Sequence, residues 1–240
     1  LTTSDRQMNP TGQVMIKMKE REWLHKAQLI SMLKLVHPMS SERKRKLVLV
    51  AFCRRLDHQP YPEQWQEAVT RFEEWLEGAV SAQEFVEAKR RLERVIDSLS
   101  NKQDLAFHRL YFASFLIEAG LPGSALLDRL FTEKSQALDY VAFGVVEGHF
   151  QKGRDAQCQI VRDIFGNPFH PITFDPSWLT STVLALARQM YDSRDFSAMP
   201  ILGDALMDAG CSNEPILEHC RGPGPHVRGC WVCDLCLNKS

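Results

Sequence analysis

Apolar residues in this chain recur at three- and four-residue spacing in one segment after another, with helix stop and start signals between the segments. That rhythm is the period of an α-helix with one buried face. Between residues 18 and 36 it is kept by Trp23, Leu24, Leu29, Ile30, Leu33 and Val36, and Pro38 ends it. Ser40 or Ser41 can cap the next helix, which is expected to run to about Leu56. After the two prolines of the 57–62 loop, Trp65, Val69, Phe72 and Leu76 mark a helix from Glu63 to Glu77 that Gly78 stops. Ser81 and Glu84 have the spacing of a capping box, and the helix they open buries Phe85, Leu92, Val95, Ile96 and Leu99. Further helices are predicted at 104–119, within 124–150, after Gly153 to Phe165, and at 181–191, 199–209, 214–220 and 230–237. Strict alternation is scarce, and Pro171–Phe174 is the best strand candidate. The pattern predicts an all-α protein, a multi-helix bundle or stacked helical hairpins. A polar tail over 1–17 precedes an N-terminal helical region over 18–150 and a C-terminal one over 151–240.

Composition limits where such a protein works. Hydrophobic residues make up 44% and charged residues 25%, enough for a real core and contrary to global disorder. The longest apolar run, Leu47 to Cys53, falls far short of the roughly 18 residues that span a bilayer. The beginning of the chain is polar and lacks the apolar stretch of a secretory signal. Seven cysteines, an odd number with four crowded into residues 220–240, do not resemble a secreted disulfide framework. The expectation is a cytoplasmic protein with no membrane contact.

The formal net charge of −1 hides an asymmetry. Residues 1–60 carry twelve Lys/Arg against five Asp/Glu, and the remainder carries seventeen against twenty-five. Arg43, Lys44, Arg45 and Lys46 crowd the first turn of a predicted helix, where cations oppose the helix dipole. Two explanations compete: a contact to phosphate, nucleic acid or an acidic partner, shared with Arg221 and Arg228, or a solvated helix start beside the Glu73-Glu74 region. A pI near 6.8 and the lack of interleaved aromatics favour the second.

Two segments of the last third stand apart. The stretch from Phe165 to Trp178 holds three prolines and four aromatics, the makings of an ordered loop pinned to a core. Residues 219–236 hold four cysteines and two histidines. Cys230 and Cys233 have C-x-x-C spacing, and Cys220 and His226 could complete a zinc tetrahedron across the Gly222–Pro225 run. His219, next to Cys220, would point elsewhere. The competing reading makes the thiols small buried hydrophobes, with Cys230, Cys233 and Cys236 forming one apolar helix face. A single C-x-x-C favours packed thiols and no cofactor, with one zinc ion as the alternative.

These segments resemble an uncharacterised family of bacterial proteins. The match is carried by Met18-Lys19-Glu20-Arg21-Glu22-Trp23-Leu24, by the loop from Ile164 to Phe169, by Trp178-Leu179-Thr180-Ser181-Thr182-Val183, and by the ending from Cys220 to Leu235. It is dense over residues 160–240 and looser before. The resemblance implies that residues 1–17 precede the family's usual start, and it implies no function. The family pattern has apolar residues where this chain has Cys233 and Cys236. A family-wide site would then rest on Cys220, His226 and Cys230, one ligand short of a zinc tetrahedron.

No phosphate-cradling glycine loop, nucleophile elbow or H-E-x-x-H helix occurs in the sequence. Cys220 or Cys230 with His226 is the one local pairing of a nucleophile with a base. The expectation is a non-enzymatic interaction or regulatory module with a protein partner. An anion- or nucleic-acid-associated accessory role, or a small zinc-stabilised C-terminal module, is the alternative.

Overall fold

The architecture follows from where helices can begin and end. A computed structural model describes residues 7–8, 14–15, 18–26, 28–55, 63–98, 125–132 and 150–239. Within the stretch read as a tail, β1 (Gln7–Met8) pairs antiparallel with β2 (Val14–Met15), and this is the sole sheet among the described residues. Everything else that is regular is helical. The helices expected at 104–119 and through 133–149 lie outside the described residues.

The predicted 18–36 helix is two helices, α1 (Glu20–His25) and α2 (Leu29–Val36). The Glu22 carboxylate reaches back to the Lys19 N–H at 3.0 Å and starts α1. Its end is imposed from far away in the sequence. The Arg162 guanidinium donates to the carbonyls of Trp23 (2.6 Å) and Lys26 (2.8 Å), which takes up acceptors of the last turn, and Lys26 is extended. A 3₁₀ turn, His37–Met39, leads to α3 (Glu42–Arg54), where Ser41 Oγ accepts from the Lys44 N–H.

The next two helices end and begin as their residues dictate. α4 (Glu63–Leu76) closes on Gly78 at φ +74°, with Ala79 N–H bonded to Glu74 O and Gly78 N–H to Trp75 O, a Schellman ending. α5 (Ala82–Ser98) opens on the expected capping box: Ser81 N–H donates to Glu84 Oε2 at 2.8 Å, and Glu84 N–H to Ser81 Oγ at 3.3 Å. Phe72, Trp75 and Phe85 stack across the hairpin with centroids 5.0–6.3 Å apart.

α6 (Ala125–Thr132) and α7 (Phe150–Phe165) complete the first apolar core, in which Leu33, Phe52, Trp65, Phe131 and Ile164 are buried together. α7 starts before Gly153, which is buried inside it instead of preceding it. The 150/151 boundary therefore falls at the start of a helix that packs with the N-terminal ones.

The Pro/aromatic loop is ordered, as expected, but Pro171–Phe174 forms no strand. It runs into a 3₁₀ turn, Pro176–Trp178, capped by Asp175, and Phe174 packs edge-on to Trp178 at 5.2 Å. Thr180 caps α8 (Ser181–Ser193), and Asn213 caps α10 (Glu214–Arg221). Between and after them come α9 (Met199–Asp208) and α11 (Trp231–Leu237). These four build a second core around Val183, Met190, Leu202, Leu206 and Ile216. No helix among the described residues is long and apolar enough to cross a membrane.

Candidate metal centre

Where the second core meets α7, one polar cluster is buried between them. Asp163 lies on α7 one turn after Ile160, on the face that also buries Ile164, and its side chain is only 3% exposed. His219 comes from the last turn of α10. The chain then reverses through Gly222–Pro225. Gly224 takes φ +78°, and a Cβ there would lie 2.9 Å from the His226 nitrogen, so the reversal needs glycine. His226 follows, and Cys230 stands at the N-cap of α11. Gly229, at φ +96°, leaves room for Leu47 of the first core, whose Cδ1 would sit 2.9 Å from an added Cβ. The two cores are in contact through this turn.

The cluster is tight. His226 Nδ1 lies 2.9 Å and His219 Nε2 3.2 Å from Asp163 Oδ1, and His219 Nε2 lies 3.2 Å from Cys230 Sγ. Asp163 Oδ2 accepts from the Val227 N–H at 2.9 Å, which fixes the carboxylate. One donor atom from each of Asp163, His219, His226 and Cys230 lies within 4.8 Å of all the others. Around a tetrahedral zinc, donor atoms are separated by roughly 3.3–3.6 Å, so small side-chain adjustments bring these four onto an ion. His226 Nε2 is buried and has no hydrogen-bond partner among the described residues.

Electrostatics bind the cluster together. Burial opposes the charge on Asp163, but His219 and His226 outweigh it and hold the carboxyl below its usual range. Burial likewise opposes protonation of the imidazoles. Cys230 and Asp163 outweigh it and lift His219 to about 9 and His226 to about 10. Burial pushes the Cys230 thiol well up. In the metal-free cluster, protonated imidazoles face the Asp163 carboxylate. An ion would replace those protons, since metal ligation requires neutral imidazole and thiolate. A divalent cation with one carboxylate and one thiolate makes a neutral centre, which suits a buried position.

Half of the expected ligand set is brought together and half is not. His226 and Cys230 are in the cluster. Cys220 faces the second core against α9, where a Cβ on Gly203 would lie 2.9 Å from its own Cβ, and burial pushes its thiol up to about 12. Cys233 packs its sulfur 3.7 Å from Met199 Sδ. The two missed members are Asp163 and His219. His219 does not point away: with its neighbour Cys220 turned into the core, it faces α7. Asp163 could have been noticed as a carboxylate on the apolar phase of Ile160 and Ile164. All seven cysteines are free and buried.

The basic cluster of α3 is neither a solvated helix start nor an open anion site. Arg43 pairs with Glu77 (2.9 Å) and Asp234 (3.0 Å) and bonds the Tyr191 hydroxyl. Lys44 donates to Ile164 O at 3.1 Å. Arg45 reaches Asp128 and the His37 carbonyl. Lys46, its side chain 5% exposed, pairs with Glu42 and lies 4.5 Å above the Trp75 ring. Arg228 donates to Tyr191 O, and Arg221 makes a half-exposed pair with Asp204. The opposition to the helix dipole is offset by these partners.

Comparison with protein-family models, with curated proteins and with solved structures returns no match.

Proposed function

We propose that the chain binds one divalent ion, zinc by its donor set, through Asp163, His219, His226 and Cys230, and that the ion fastens α10 and α11 to α7. Two imidazoles, a thiolate and a carboxylate form a borderline-soft set of four, the number that closes a structural zinc tetrahedron. With four protein donors no coordination position is left for a substrate, so the ion's work is structural. The observation that carries this reading is the convergence of four donors of these types, Asp163 and Cys230 buried and His219 and His226 half-buried, with one imidazole nitrogen otherwise unpartnered.

Elemental analysis of the purified chain tests it. About one equivalent of zinc is expected, since closed sites of this kind are tight. Asp163→Ala and His226→Ala should each lose the ion. Cys220→Ala should keep it, which separates this ligand set from the one read off the sequence. A folded, metal-free chain that takes up no zinc on titration would overturn the reading and leave an Asp–His proton cluster.

A further inference from the structure

One ligand of the proposed centre has a second thiol beside it. Cys230 is the N-cap of α11 and Cys233 is the third residue of the helix, so the two occupy one face of its first turn. The Asp234 N–H donates to the Cys230 carbonyl at 2.8 Å and closes that turn. Cys233 is no member of the four-donor cluster and is fully buried against Met199. The cluster is not sealed from outside. The side chain of His219 is 19% exposed, and together with Trp231, Phe165, Asn167 and Lys44 it lines an open cavity of about 1020 Å³.

We propose that Cys230 and Cys233 are a peroxide-responsive pair that releases the ion, a regulation that rests on the metal reading above. The Cys230 thiolate attacks one oxygen of a hydroperoxide. An S–O bond forms, the O–O bond breaks, and hydroxide or alkoxide leaves, giving a sulfenic acid. The Cys233 thiol then attacks that sulfur and water departs with the thiol proton, leaving a disulfide. The two sulfurs lose two electrons in all, and the hydroperoxide gains them. Disulfide formation and ligation exclude each other by chemistry: a metal ligand is the thiolate, and a sulfur bonded to a second sulfur no longer is one. Oxidation therefore takes from the ion one of its two negative ligands.

The test uses the full chain loaded with zinc. Metal content is measured first, hydrogen peroxide is added, and released zinc is read with a chromogenic chelator while peptide mapping locates any disulfide. The expected result is loss of the ion together with a Cys230–Cys233 disulfide, both reversed by a thiol reductant and added zinc. Cys233→Ala should hold zinc as the native chain does but not recover after excess peroxide, because a sulfenic acid with no resolving thiol beside it is oxidised by a second peroxide to sulfinic acid, which a thiol does not reduce. Cys236→Ala, which removes another buried thiol of the same helix, should behave like the native chain. A loaded chain that keeps its zinc under peroxide overturns this proposal alone. So does zinc loss with a disulfide elsewhere, or a Cys233→Ala chain that recovers fully. A chain that holds no zinc before peroxide is added overturns the metal reading and this proposal with it. Should Cys233→Ala fail to fold, the native chain's disulfide map still decides.

Discussion

Two buried polar sites join the same pair of cores, and they are built on opposite principles. At the first, Arg43 of α3 supplies a permanent cation whose donors go to Glu77, Asp234 and Tyr191. The Tyr191 phenol, pushed up by burial and then by Asp234, stays neutral and donates to Asp234 at 3.0 Å. Lys239 adds a second cation on Glu77. This site is complete within the chain. At the second, Asp163 faces two imidazoles and a thiol, groups whose charge depends on exchangeable protons or on an ion. A buried carboxylate thus finds its countercharge in two ways, one covalently fixed and one borrowed. Only the borrowed kind can be taken away.

The largest effect should come from removing the carboxylate of the second site. Asp163→Ala leaves two imidazoles without their anion and a turn without the acceptor for Val227 N–H. Breaking a buried charged pair costs about 3–5 kcal/mol, and loss of the ion adds to that. A fall in melting temperature together with loss of zinc is expected. A chelator should lower the melting temperature of the native chain and leave that of the variant unchanged. Indifference of the native chain to chelation would erase the contrast between the two sites.

Arg43→Met comes next. It takes the main cation from Glu77 and Asp234, a loss of about 3–5 kcal/mol for a buried pair that is partly offset because Lys239 still reaches Glu77 and the Tyr191 hydroxyl still donates to Asp234. Zinc content should not change. Loss of zinc in this variant would mean that the two sites are one.

The same variant sharpens the comparison through pH. Burial opposes the charge on Glu77, but the hydrogen bond from Lys239 and the charge of Arg43 hold its carboxyl below its ordinary value of 4.5. A depressed carboxyl stabilises the fold above its unfolded value, and that stability is lost as pH falls through the folded value. The difference in melting temperature between native chain and Arg43→Met should therefore be full at neutral pH and shrink below about pH 4. A difference that grows in acid would contradict the assignment.

The smallest effects should be at residues the sequence singled out and the fold did not use. Cys220→Ala removes one buried sulfur, a cost of about 1 kcal/mol, with zinc retained. Arg221→Gln breaks a half-exposed pair with Asp204, and a change within about 0.5 kcal/mol is expected in thermal unfolding.

The sequence was legible wherever structure is decided locally. The Ser81–Glu84 box, the Gly78 ending and the run of helices from 181 to 237 needed only caps, period and punctuation. The break between α1 and α2 did not show, because Arg162 imposes it from another helix. The metal-type cluster was half visible for the same reason. His226 and Cys230 lie a few residues apart, but the rotation of α10 that selects His219 over Cys220 is set by packing, and Asp163 arrives only when α7 docks. The basic cluster misled because its counterions, Glu77 and Asp234, are distant in the chain.

Trp231 follows Cys230 directly, its ring centroid 5.1 Å from that of His219 and its indole against the backbone of Gly166. It borders His219, a member of the cluster. A cationic imidazole at that distance draws on the indole's excited state, and a neutral, ion-bound one does so far less. The chain therefore carries its own optical gauge: its emission should brighten as zinc is added and dim as the ion departs, a signal that Trp231→Phe would silence.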